Sequence, residues 1–168
     1  MSKPKIGWIV LAALLFAFVL AGCGGPKQNG AGGTDAAKQE MTVKAYYADE
    51  SLDKLNEREI SIRFASDDEK YRAALTALAT APDARLKPLA AGLDIRSVKS
   101  ENGNVVIDLS VKDEGRLGSP GEMLLIEAIR KTMFQFPEVK TFDLLVDGKP
   151  AESLMGHVDL QHPFKRDS

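Results

Sequence analysis

A single cysteine, two histidines and one tryptophan in 168 residues leave this chain poor in the side chains that most often carry chemistry. One cysteine excludes an intramolecular disulfide, and no cysteine–histidine pair stands at metal-ligand or catalytic spacing. Glycine-rich phosphate loops and serine nucleophile elbows are missing too, so the common nucleotide-binding and hydrolase signatures are absent. No basic stripe is available to neutralise phosphates, which argues against a nucleic-acid partner. The one long apolar run, residues 6–19, is shorter than the roughly 20 residues a membrane-crossing helix needs.

That run is instead the middle of an ordered pattern. Lys3 and Lys5 precede it and Leu20-Ala21-Gly22-Cys23 follows it, giving a charged start, an apolar core and a small-residue cleavage site. The pattern resembles a bacterial lipobox, in which signal peptidase cuts before a cysteine that carries a diacylglyceryl group. Residues 1–22 are then a lipoprotein signal peptide, and Cys23 is the lipidation site. The mature chain is expected at the cell membrane, lipid-anchored on the extracytoplasmic face. Lipidation also uses up what would otherwise be a free exported thiol. Two or three acyl chains hold a protein at a bilayer where one binds only marginally.

Loss of residues 1–22 removes two lysines and no acids, leaving 20 basic against 24 acidic residues, a net charge of −4. Residues 23–40 follow as the lipidated cysteine and a tether. Gly24, Gly25, Gly30, Gly32 and Gly33 lie there among polar residues, a composition that cannot bury enough apolar area to offset ordering. Gly-rich chain statistics give the tether an r.m.s. reach of about 20 to 25 Å. Residues 41–168, with ordinary proportions of apolar and charged side chains, form one domain.

Within the domain the hydrophobic period changes several times. Val43, Ala45 and Tyr47 alternate, as do Ile60, Ile62 and Phe64, predicting two strands. Ser66-Asp67-Asp68-Glu69 is a capping box, and Tyr71, Ala74, Leu75 and Leu78 then recur at helical spacing. Two strands at residues 93–98 and 105–109 flank Asn102-Gly103, the strongest short hairpin signal. Ser119-Pro120-Gly121-Glu122 reads as a second capping box, opening a helix with Ile126, Ile129, Met133 and Phe136 on one stripe. Strands at residues 140–146 and 154–160 close the chain. The order β, β, α, β, β, α, β, β predicts an α+β fold, a two-layer sandwich with a mixed, mainly antiparallel sheet and both helices on one face.

Candidate functional residues are few. His157, Asp159 and His162 form the one constellation suited to a metal or to acid–base work, which supports an alternative reading as an exported metal- or ligand-binding lipoprotein or hydrolase. The acids at 67–69 are explained by a helix N-terminus. The strand at residues 42–47 is expected to lie at a sheet edge, with Lys44 and an exposed Tyr46 facing outward as interaction residues.

Several segments also resemble the GerM domain family of sporulation and spore germination lipoproteins. They are Gly118-Ser119-Pro120-Gly121-Glu122, Phe134-Gln135-Phe136-Pro137, residues 144–150, Gly156-His157-Val158-Asp159-Leu160 and residues 102–110. The resemblance spans residues 42–164. It implies a non-enzymatic domain without cofactors, similar in fold to ring-building modules, whose partners are envelope or sporulation-complex proteins, further copies of itself included. It supplies no catalytic residues.

Cys23→Ser should leave an unprocessed precursor without lipid mass, while the wild-type protein partitions into detergent. Normal cleavage and lipid labelling of the variant would refute the lipobox assignment.

Overall fold

The computed structural model describes residues 38–166. Strands β1 (Gln39–Ala48) and β2 (Leu55–Phe64) pair antiparallel without a break in register, Val43 opposite Ile60 and Lys44 opposite Glu59. Cross-strand partners share a face, so the alternating apolar residues of both strands make one buried surface. Asp49 closes the hairpin by accepting from the Asp53 amide at 2.9 Å. The strand begins at Gln39, so the domain starts two residues before the boundary expected at 41 and residues 39 and 40 belong to β1 rather than to the tether.

Helix α1 (Asp67–Ala77) starts where the Ser66 hydroxyl accepts from the Glu69 amide at 3.3 Å, and Glu69 reaches back to the Ala65 amide at 2.8 Å. The sequence-predicted cap is therefore present, shifted by one residue on its return arm. Tyr71, Ala74 and Leu75 pack inward, and the Tyr47 hydroxyl donates to the Ala77 carbonyl at 2.9 Å.

Strands β3 (Leu93–Glu101) and β4 (Asn104–Val111) form the second hairpin, with Asn102 and Gly103 both at positive φ as a two-residue turn requires. Helix α2 (Ser119–Phe134) carries the chain across to β5 (Thr141–Val146), which lies parallel to β4. Two short strands, β6 (Lys149–Pro150) and β7 (Phe164–Lys165), both pair with β5, β6 at its end and β7 at its start. Phe142 stacks on Phe164 with ring centroids 4.6 Å apart, fastening β7 to the sheet.

The class is α+β as expected, with a difference in how the strands are grouped. There are two sheets: the β1–β2 hairpin stands alone, and β3, β4, β5, β6 and β7 make the other. The β4–α2–β5 unit is the parallel crossover that the pattern predicted. The β2–α1–β3 stretch is not, because the connection after α1 is captured by β1: Ala48 and Lys87 exchange backbone hydrogen bonds at 3.1 and 2.9 Å. Two local expectations also fail. Ser119 is the first residue of α2 rather than its cap; Gly118 caps without a side chain, and Glu122 is drawn elsewhere. Residues 154–160 form no strand, because Gly156 turns at positive φ and the amides of Met155 and His157 both point at Glu122.

Gly92 and Gly115 bring two loops into backbone contact, and a Cβ on either would fall on the Cα of the other. This approach seats the start of β3 beside the loop before α2, where the Lys112 amide donates to Gly92 O at 2.9 Å. Gly115→Ala should therefore destabilise the domain by about 1–3 kcal/mol, the usual cost of forcing extra volume into a packed contact. Chemical denaturation would show it as a lower midpoint at unchanged slope.

Candidate functional site

The polar groups with the most structural consequence are those that join segments distant in sequence. Glu122 leads them. It is fully buried, although it sits in the first turn of α2 in line with Ile126, Ile129 and Met133. One carboxylate oxygen accepts from the Ser153 hydroxyl and the Met155 amide, both at 2.8 Å, and the other from the His157 amide at 3.0 Å. Burial alone would raise its pKa; the three donors outweigh burial and hold it below the ordinary carboxylate range. The helix N-terminus favours the same charged form. Glu122 thus secures the segment from Ser153 to His157 against the body of the domain.

Glu138 organises a second junction. Its Oε1 accepts from Lys70 Nζ at 2.6 Å and from the Tyr71 hydroxyl at 3.1 Å, tying α1 to the turn before β5. Burial pushes the Tyr71 hydroxyl up to about 12, so it remains a neutral donor. Burial would depress Lys70, but its hydrogen bonds to Glu138 and Asp67 prevail and its pKa lies above the ordinary lysine value.

Of the predicted candidates, the histidines and Asp159 do not assemble into a ligand set. His162 Nδ1 lies 2.6 Å from Asp143 Oδ1 and Nε2 lies 2.8 Å from the Ala151 carbonyl, so both ring nitrogens are engaged. The two contacts, Ala151 first and then Asp143, raise its pKa. Asp159 lines the same shallow cleft as His162, whereas His157 is exposed elsewhere, its amide on Glu122. Among the described residues no three His, Cys, Asp or Glu side chains converge as a metal site.

Lys44 is exposed as predicted and forms an ion pair with Glu57 at 2.9 Å. The exposure expected of Tyr46 is not found: only 9% of it is accessible, and Lys131 Nζ lies 5.9 Å from its ring centroid. The outer edge of β1 is not open either. The Gln135 side chain, just past α2, accepts from the Lys44 amide at 2.8 Å and donates to the Lys44 carbonyl at 3.0 Å, as a neighbouring strand would. Cys23 lies outside the described residues.

Sequence reasoning missed Glu122 and Gln135. An acid on the apolar stripe of α2 is the signal that could have revealed the first; nothing local marks the second. A cavity of about 210 Å³ also opens between α1 and β3, floored by core residues such as Leu75, Ile107 and Leu144. Arg72 borders it with both terminal nitrogens already donating to the carbonyls of Ile95 and Arg96, so its charge is held on β3.

The described residues form a two-sheet, two-helix α+β domain in which the buried Glu122 and the exposed Glu138 join segments distant in sequence. The chain belongs to the Germane family, described as sporulation and spore germination, whose family model matches residues 44–152. Its fold is similar to that of a Clostridium perfringens protein assigned as a lipoprotein: 21% identity, 77% of this chain and 88% of that one, TM-score 0.52. It is also similar to the tandem GerMN domains of the sporulation protein GerM from Bacillus subtilis, at 19% identity and a TM-score of 0.50, covering 83% of this chain and 50% of that one. The first GerMN domain of that protein aligns at 14% identity, 75% and 98% coverage, and a TM-score of 0.51. No curated protein matches the chain.

The carboxylate of Glu122 has its pKa lowered on folding, so its contribution is complete above the unfolded value, near 4.5, and is lost as pH falls through the folded value. Glu122→Gln replaces one acceptor oxygen with a donor facing an amide, and should cost about 1–3 kcal/mol at pH 7. Urea unfolding at pH 7 and pH 3 checks this: the gap between variant and wild type should narrow at the lower pH.

Proposed function

We propose that this chain is a lipid-anchored, non-enzymatic interaction module of the cell envelope that serves sporulation or spore germination. It is held at the extracytoplasmic face of the membrane through Cys23 and a tether that ends before β1. Family membership supports the process. The lipobox pattern and the similar fold of a protein assigned as a lipoprotein support the anchor. The observation that carries the interaction reading is the employment of the polar groups. Glu122, Glu138, Asp68 and His162 each join one segment of the domain to another, and the accessible surface is held rigid by those joints. A scaffold needs such stiffness, since a preformed binding surface avoids the entropy of ordering on association.

The test is complementation of a deletion strain. Wild-type protein, His157→Ala and Asp159→Ala should each restore sporulation or germination, because these two side chains are exposed and neither is a joint of the domain like Glu122 or Glu138. Cys23→Ser should not restore it, having lost the membrane address. Failure of a folded, membrane-bound His157→Ala or Asp159→Ala variant would instead favour the metal- or ligand-binding alternative.

A further inference from the structure

The hairpin edge that the sequence pointed to is occupied at Lys44 and at Ala48, and the other edge has no such partner among the described residues. Lys44 directs its amide and carbonyl away from β2, toward Gln135. Lys44 and Glu59 are therefore a non-hydrogen-bonded pair, and Glu59 directs its own backbone groups away from β1. By alternation Ser61 and Arg63 do the same. Strand β2 has β1 as its one strand neighbour, and the outward groups of these three residues have no backbone partner among the described residues. Alongside them runs an open cleft of about 570 Å³ between β2 and α1, lined in part by Ile60, Ile62, Ala73 and Ala77. Strand β2 holds ten residues in unbroken register, with no proline and no bulge to blunt the edge.

We infer that the occupant of this edge is β2 of a second copy of this chain, paired antiparallel about Ser61. This deepens the interaction reading and rests on it. The sequence along the edge is self-complementary. Centred on Ser61, the pairing sets Glu59 opposite Arg63 of the other copy, Arg63 opposite its Glu59, and Ile60 opposite its Ile62. Glu59, Ser61 and Arg63 are the outward-directed residues, so all three meet as hydrogen-bonded pairs. Sliding the strands by one hydrogen-bonded pair sets Glu59 against Ser61, and sliding by two sets Glu59 against Glu59. Their side chains lie on the face away from α1, while Ile60 and Ile62 line the cleft beside that helix. The result is a four-stranded sheet, β1–β2–β2–β1, about a two-fold axis.

The experiment uses full-length protein in its own membranes. Residues 61 of the two copies stand about 5.5 Å apart between Cα atoms in a hydrogen-bonded pair, within disulfide range. Residues 42, one strand further out on each side, are separated by about 14 Å, three strand spacings. Mild oxidation should therefore link Ser61→Cys protein into dimers and leave Thr42→Cys protein monomeric. In the Ser61→Cys background, Arg63→Glu or Glu59→Arg alone turns two attractive pairs repulsive and should lower the linked fraction about tenfold. Co-expression of the two charge variants should restore linkage between them, which also shows that both fold. Equal linkage at positions 42 and 61, or linkage indifferent to both charge changes, overturns the inference. So does absence of linkage at position 61 in cells where that variant restores sporulation; in that case the interaction reading survives and the self-pairing does not.

Discussion

Backbone amides and carbonyls at the rim of a sheet must find partners, and the way this domain meets that need determines most of its architecture. With two small sheets in place of one large one, it has more rims to close. Side chains from the helical segments close two of them. Asp68 accepts from the Ser100 amide at 2.8 Å and Arg72 donates to the carbonyls of Ile95 and Arg96, so α1 lines the outer edge of β3. Gln135 treats Lys44 of β1 in the same way from the end of α2. Each helix is thereby fixed by polar contacts as well as by its apolar stripe. The bulge between Ile95 and Ser97 falls where Arg72 reaches in, so the irregularity in β3 coincides with a side chain taking the place of a strand.

The C-terminal segment shows the same economy with charge. A buried carboxylate without donors would be strongly disfavoured, and removing a single partner from such a group is costly. Glu122 is tolerated because two amides, a hydroxyl and the start of a helix all face it. In return it fixes a stretch of chain with no ladder of its own. His162 fastens the same segment further along through Asp143, and Arg166 donates to the carbonyls of Phe134, Phe136 and Val139. A region lacking regular secondary structure is in this way tied to the body of the domain at several points.

The elements written in local pattern were readable from the sequence, and those decided by distant partners were not. Ser66 and Glu69 interact across three positions, and Asn102-Gly103 sets its own turn, so cap and hairpin could be placed directly. Alternation located Ile60, Ile62 and Phe64 for the same reason. Glu122 has the spacing of a cap, and only folding reveals that donors 31 to 35 residues later win it from Ser119. Gln135 and Lys44 are 91 positions apart, and no local rule joins them. Tyr46 looked exposed because period-two alternation assumes one solvated face, whereas the end of β1 is buried on both, as the adjacent Tyr47 and Ala48 show. His157, Asp159 and His162 were grouped by proximity in sequence; Asp159 and His162 do line one cleft, but both ring nitrogens of His162 are already engaged and His157 is not part of that cleft's lining.

The asymmetry of the hairpin limits what it can build. The Gln135 amide gives its oxygen and one N–H to Lys44 and its other N–H to Thr132, so it occupies a single outward residue of β1, and Lys87 occupies another at Ala48. A further strand along that edge would have to displace both contacts. Were both edges open, each added copy would present a fresh one, and pairing would run on into an open-ended array. With β1 occupied at Lys44 and Ala48 and β2 without such partners, the self-pairing inferred above would favour two copies over an open-ended array. The alternating charges of β2 act within the same limit, since they oppose registers that bring like charges together. On that inference a larger assembly would use faces other than the hairpin edge, with the two-fold pair as its repeating unit.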